Sequence, residues 1–157
     1  MHRLWSFMIV GLVASAVPAL SQTASSQVAD EVIGVVKAEW AAGRQKNLAE
    51  AMKNISDDCT QFSGDAATRL EGKALLTRLT EAGNKDAGNQ IADEMLNPKV
   101  QSYGDTAILS YNYYGLAQDK DGKTNASRAK STRVYVKQAG KWMLVHANFA
   151  PDPLPPQ

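Results

Sequence analysis

The chain has 157 residues, with 17 Lys or Arg and 16 Asp or Glu, so its formal net charge is +1. This length fits one domain, and no block of basic residues supplies the patch that electrostatic binding to nucleic acid requires. Cys59 is the only cysteine, which excludes an internal disulfide and favours a small buried apolar residue.

Residues 1–21 are predicted to be a secretory signal peptide. A basic start, Met1-His2-Arg3, precedes an apolar run from Leu4 to Val17, and Ala19-Leu20-Ser21 places small residues before a cut. The apolar run is shorter than the roughly 20 residues that a membrane-spanning helix needs. We therefore expect a secreted protein, periplasmic in a Gram-negative bacterium and free of the membrane after cleavage. An uncleaved anchor is the alternative.

Three helices are predicted in the first half of the chain. Residues 22–27 are polar and are predicted to be a disordered lead-in. The following helix presents one apolar face up to Gly43, formed by Val28, Val32, Val35, Val36 and Trp40. Asn47 is expected to cap a short second helix, and a third helix is expected from about Gly72 to Gly83. A short strand, Cys59 to Phe62, is predicted between them.

Four strands are predicted in the second half, joined by tight turns at Gly104-Asp105, residues 119–123 and Ala139-Gly140. The expected strands are Ile91 to Tyr103, Thr106 to Leu116, Ser127 to Gln138 and Lys141 to Phe149. Pro98 lacks an N–H donor, so the first of them is expected at an edge or a bend. The order predicts an α+β fold with helices on one face of an antiparallel sheet. The domain is assigned to residues 28–151, and residues 152–157 form a Pro-rich tail.

Three segments resemble the association (hub) domain of calcium/calmodulin-dependent protein kinase II. They are Leu96-Asn97-Pro98-Lys99-Val100, Thr132-Arg133-Val134-Tyr135, and Gly140-Lys141-Trp142 followed by Val145-His146, in the order and spacing of that family. The family belongs to the nuclear transport factor 2-like superfold, which also includes SnoaL-like proteins and ketosteroid isomerases. The resemblance therefore implies a cone, in which a curved sheet wraps around a long helix.

Hub domains assemble kinase subunits into rings, so the resemblance also implies self-association, as a homodimer or a larger oligomer. We expect a stand-alone association module without kinase activity. Three positions depart from the family: Asn148 replaces a second histidine of the last strand, Ala150 replaces a following serine, and Tyr113 replaces an arginine before the hairpin. The cavity is therefore expected to be less basic than that of a hub domain.

The resemblance implies that Arg133 and His146 line or rim the cone cavity. Side chains alternate along a strand, which predicts that Tyr111 and Tyr113 share one face. It also predicts that one face of the last strand carries four side chains, those of Trp142, Leu144, His146 and Asn148. A guanidinium can hold a carboxylate through two parallel hydrogen bonds. The candidate ligand-binding residues are Arg133, His146, Tyr111, Tyr113 and Asn148, and the candidate ligand is a small polar or anionic molecule. The competing interpretation is that Arg133 pairs with an internal acid, Glu39 or Glu71, and that His146 is a core histidine.

A small cavity enzyme, an isomerase, cyclase or hydrolase, is the alternative function. His146 is the only plausible base, and Tyr113 is a possible donor to an oxyanion. A carboxylate facing the cavity within reach of either side chain would favour the enzyme, but the sequence offers no convincing one. One His and one Cys remain after cleavage, without paired spacing, and no Gly-rich phosphate loop occurs. We therefore predict neither a metal nor a cofactor.

Overall fold

The computed structural model describes residues 19–86 and 88–152. Three helices and six strands follow one another: α1 Ala19–Arg44, α2 Leu48–Met52, β1 Ile55–Ser63, β2 Leu70–Glu71, α3 Lys73–Asp86, β3 Asn89–Tyr103, β4 Thr106–Gln118, β5 Thr124–Gln138 and β6 Lys141–Pro151. The α+β class predicted from the sequence is confirmed. Residues 1–18 of the predicted signal peptide and residues 153–157 of the predicted Pro-rich tail lie outside the described residues.

All six strands form one sheet in the order β2-β1-β6-β5-β4-β3. The β3–β4, β4–β5 and β5–β6 pairs are antiparallel hairpins, but β1 runs parallel to β6. The sheet is thus mixed, whereas a purely antiparallel sheet was expected. A short hairpin turn forces an antiparallel pair, and no hairpin joins β1 to β6, because α3 and four other strands separate them in the chain.

Helix α1 packs its apolar stripe onto one face of the sheet, which we call the inner face. Val32 and Val36 are completely buried there, together with Leu109 of β4 and Tyr135 of β5. The helix also contains residues 22–27, so the prediction of a disordered lead-in is wrong. No Gly or Pro interrupts that segment. Each residue added to an existing helix gains a backbone hydrogen bond, so the helix extends through these polar residues.

Strand β3 lies at the edge of the sheet and is irregular at Asn97-Pro98, as predicted. The pairing with β4 shifts between Leu96 and Lys99, and Asn97 adopts a left-handed conformation with a φ of 50°. The bulge accommodates Pro98, which cannot donate to the ladder, without ending the strand.

Three side chains of α1 make polar contacts with the sheet at different positions along the helix. Glu31 accepts hydrogen bonds from Trp142 Nε1 at 2.8 Å and from Lys137 Nζ at 3.2 Å. Glu39 lies two turns further along and contacts β5, and Arg44 in the last turn contacts β3. The polar contacts therefore set both the position and the rotation of the helix within the cone.

The opposite, outer face of the sheet is not covered by any described helix. Its exposed apolar side chains are Phe62, Leu96 and Tyr103, with exposed fractions of 47%, 44% and 62%. Ile108 and Val134 lie between them, opposite each other in the β4–β5 ladder and partly exposed. Within the described part of the chain, no helix is long and apolar enough to cross a membrane.

Candidate functional site

The inner face of β4 and β5 carries the centre of the candidate site. Tyr111 lies opposite Ser131 in the β4–β5 ladder, and Leu109 lies opposite Arg133. Because side chains alternate, Tyr113 and Tyr135 point to the same face. The structure therefore brings together three of the predicted site residues, Arg133, Tyr111 and Tyr113, inside the cone.

Arg133 is paired with an acid of the helix. Its Nη1 atom lies 2.7 Å from Oε2 of Glu39, and its Nε donates to the Tyr111 hydroxyl at 3.0 Å. Only 4% of Arg133 is exposed. Burial alone would lower the pKa of the guanidinium, but the charge of Glu39 and the hydrogen bond to it raise the pKa above its ordinary value. Arg133 is therefore a charged, paired residue, as the competing interpretation proposed.

His146 and Asn148 do not lie on the inner face. The β5–β6 pairing shifts between Val134 and Tyr135, which face His146 and Leu144, so Val145 is an extra residue in β6. A bulge of one residue moves every later side chain to the opposite face. Ala147 and Phe149 consequently point into the cone. The prediction that His146 and Asn148 share the face of Trp142 and Leu144 is wrong for this reason.

His146 instead belongs to the outer face. Its Nδ1 atom is hydrogen-bonded to Thr60 Oγ1 at 2.8 Å, and its ring meets Phe62 edge to face at a centroid distance of 6.0 Å. Asn148 is exposed on the same side, opposite Phe62 in the β1–β6 ladder. Neither residue reaches the Arg133–Glu39 pair, which leaves the interior without a histidine among the described residues.

An acid that the sequence analysis missed lies beside Tyr113. Asp93 of β3 accepts a hydrogen bond from the Tyr113 hydroxyl at 2.7 Å, and its other oxygen pairs with Arg44 Nη1 at 2.5 Å. Burial and this hydrogen bond raise the pKa of Tyr113, so the hydroxyl keeps its proton. Only the strand register, which places Asp93 opposite Gly115, shows that Asp93 lies near Tyr113. That register depends on the bulges of β3 and is not visible in the spacing of the residues.

Gly115 makes room for this arrangement. A Cβ atom at that position would collide with the hydroxyl of Tyr113 and would lie 2.9 Å from Ser127 Oγ. The Tyr113 side chain therefore folds over the glycine to reach Asp93. This close approach, rather than an unusual backbone angle, requires a residue without a side chain.

Two open cavities meet at Glu39, which is partly exposed to both. One, of 430 Å³, lies towards β1, β2 and α3 and includes Gln61, Leu70 and Phe149. The other, of 570 Å³, lies towards the end of α1 and the start of β3 and includes Arg44 and Asp93. Both volumes fall within the range of small-molecule sites.

The described residues contain no group of three or more His, Cys, Asp and Glu side chains that could hold a metal ion. Cys59 is completely buried, and burial, followed by the nearby charge of Asp58, raises the pKa of its thiol to about 11. A protonated thiol is a poor nucleophile.

Residues 28–153 match one protein family, the calcium/calmodulin dependent protein kinase II association domain. The calcium/calmodulin-dependent protein kinase type II of Caenorhabditis briggsae is 32% identical over 95 residues, which cover 60% of this chain and 17% of the relative. The chain thus spans less than a fifth of the length of the curated relatives it matches.

Solved structures share the fold. The association domain of the Caenorhabditis elegans kinase aligns with a TM-score of 0.69 at 22% identity, covering 81% of this chain and 98% of that one. A nuclear transport factor 2-like protein of unknown function from Pseudomonas putida aligns with a TM-score of 0.69 at 20% identity, covering 80% and 87%. The predicted nuclear transport factor 2-like fold is confirmed.

Replacing Arg133 with Met should lower the free energy of unfolding by about 3 kcal/mol, because it leaves the Glu39 carboxylate partly buried without its partner. The double variant Arg133→Met/Glu39→Gln should recover most of that loss. Arg69→Met is the matched control, because Arg69 pairs with Glu71 at the exposed surface and should lose less than about 1 kcal/mol. Urea unfolding measures all three. Parent-like stability of Arg133→Met would show that the pair is not structural.

Stability should decline between pH 9 and pH 11 through Cys59. The thiol keeps its proton to about pH 11 in the folded state, whereas the unfolded thiol releases it near its ordinary value of 9.0. The contribution is complete below pH 9, and rising pH removes up to about 2 kcal/mol. Urea unfolding at pH 8 and pH 10.5 should show a steeper decline for the parent than for Cys59→Ala. Equal declines would contradict the assignment.

Proposed function

Because the chain belongs to the calcium/calmodulin-dependent protein kinase II association domain family, we propose that it is an exported association module without kinase activity. It assembles with copies of itself through the outer face of its sheet, and it holds a small polar or anionic ligand inside the cone. The observation that carries the proposal is the division of the sheet into an uncovered apolar face and a face that lines cavities.

Self-association is supported by the side chains of the outer face. Phe62, Leu96 and Tyr103 expose between 44% and 62% of their surface there. They lie on β1 and β3, and the partly exposed Ile108 and Val134 lie on the strands between. Large apolar side chains exposed on an uncovered sheet face are the feature expected of an interaction site. A second copy presents the same surface, so an isologous contact would bury both at once. Asn148 and Thr60 would contribute polar contacts within it.

A ligand in the cone is supported by the cavities on either side of Glu39. Their walls combine apolar side chains with a few polar groups, Gln61 and Thr80 among them, which is the usual composition of a small-molecule site. Arg133 can contribute the remaining donors of its guanidinium while it stays paired with Glu39. A ligand in these cavities would not contact His146, because that side chain lies on the outer face of the sheet.

A small cavity enzyme is the second candidate, and the Asp93–Tyr113 contact is the observation that favours it. A cavity acid within reach of Tyr113 is what such a mechanism requires. However, Asp93 already accepts from Tyr113 with one oxygen and pairs with Arg44 through the other. A general base must be able to reach the proton it removes. The non-catalytic module is therefore the function we put first.

Phe62→Glu should weaken self-association at least about tenfold, because a carboxylate placed in an apolar interface loses its hydration. Leu79→Glu is the matched control: Leu79 is 46% exposed, against 47% for Phe62, but it lies on α3, away from the outer face. Analytical ultracentrifugation of the parent should show a dimer or larger species, reduced in mass only by Phe62→Glu. A monomeric parent at micromolar concentration would refute the assembly.

Export predicts that the mature protein begins at Gln22 or within a few residues of it. The basic start, the apolar run and the small residues before the cut together make a signal peptidase site. N-terminal sequencing of the protein from the periplasm or medium of its host measures the first residue directly. Recovery of a soluble protein that still begins at Met1 would contradict the proposal.

A further inference from the structure

A third, smaller cavity of 250 Å³ lies against the inner face of β4, β5 and β6. Four aromatic rings, those of Trp40, Tyr111, Tyr113 and Phe149, and the side chain of Ser131 form most of its wall. We call it the aromatic pocket. Trp40 meets Tyr111 and Tyr113 edge to face at centroid distances of 5.9 and 5.4 Å. Trp40 therefore packs against both tyrosine rings in the wall of the pocket.

Ser131 lies at the centre of this wall. It faces Tyr111 on β4 and Phe149 on β6, so a small residue separates two large rings and leaves a gap between them. Only 4% of Ser131 is exposed, and its Oγ has no hydrogen-bond partner among the described residues. A buried hydroxyl without a partner costs free energy, which a ligand with a polar group at the same place would recover.

The charges around the pocket cancel. Among the described residues, Arg133 is the only charged side chain in the wall, and it is paired with Glu39 and lies over the Phe149 ring at 5.1 Å. An anionic ligand would be attracted by Arg133 but repelled by Glu39. A cationic ligand would be attracted by Glu39 but repelled by Arg133. A net charge on the ligand would lose its hydration without gaining an unpaired counter-charge.

We infer that the aromatic pocket binds an uncharged, single-ring aromatic compound whose hydroxyl or carbonyl group reaches Ser131 Oγ. The inference rests on the proposed ligand-binding function. It places the ligand in this third cavity, rather than in the two that meet at Glu39, and narrows the ligand from polar or anionic to neutral. A volume of 250 Å³ is below the roughly 300–1,000 Å³ of drug-sized sites, so one ring is the size that fits. Edge-to-face contacts with the four rings supply affinity, and Ser131 supplies orientation.

Isothermal titration of the full mature protein with p-cresol and with benzoate tests this charge preference. The two probes share a ring, but only benzoate carries a charge at neutral pH. p-Cresol should bind at least about tenfold more tightly. Tighter binding of benzoate would overturn the neutral-ligand inference while supporting an anionic ligand at Arg133. Absence of binding by both probes at millimolar concentration would refute the inference. It would leave the proposed self-association untouched, because ultracentrifugation measures that separately.

Two substitutions at Ser131 test the location. Ser131→Val fills the gap and removes the unpartnered hydroxyl, so p-cresol binding should fall at least about tenfold while the unfolding temperature stays equal or rises. Ser131→Ala removes the hydroxyl alone and should weaken p-cresol about 2- to 10-fold, the effect of one hydrogen bond. Thr132→Val is the matched control on the outer face of the same strand and should bind like the parent. Unchanged p-cresol binding by a folded Ser131→Val would overturn the assignment.

Discussion

The contact between Arg133 and Glu39 is the constraint on which the interior of the cone depends. The guanidinium of Arg133 stays charged although only 4% of the residue is exposed, so its burial would be costly without a partner. Glu39 of α1 is the acid within hydrogen-bond distance. The pair therefore links the helix to the middle of the sheet and fixes which turn of α1 faces β5. It also neutralises the most basic group of the cavity, so the shape and polarity of the remaining wall decide what can enter.

The two faces of the sheet differ in the side chains that they carry. The inner faces of β4, β5 and β6 carry the rings of Tyr111, Tyr113 and Phe149 as well as Ser131, while their outer faces carry Ile108, Val134 and His146. The two faces share the same backbone, so residues adjacent in sequence point to different surfaces, as Ser131 and Thr132 do. A substitution at one of these two positions therefore changes one surface and leaves the other in place.

Local patterns predicted much of this arrangement and failed at identifiable places. The apolar spacing of α1, the hairpin turns and the alternation of Tyr111 and Tyr113 follow from the sequence, since they depend on neighbouring residues. The outward position of His146 does not, because the bulge at Val145 arises from pairing between strands. The Asp93–Tyr113 contact depends in the same way on the bulged register of β3. The parallel β1–β6 pair is a property of the whole chain, which no short motif encodes.

The glycine opposite Asp93 has a consequence for how this interior can change over evolution. Any side chain at position 115 collides with the tyrosine hydroxyl that folds over it. A side chain at position 115 would therefore displace the Tyr113 ring, and with it the hydroxyl that donates to Asp93. The effect of a substitution at one of the two positions thus depends on the residue at the other. Tyr113 and Gly115 should accordingly change together over evolution rather than independently.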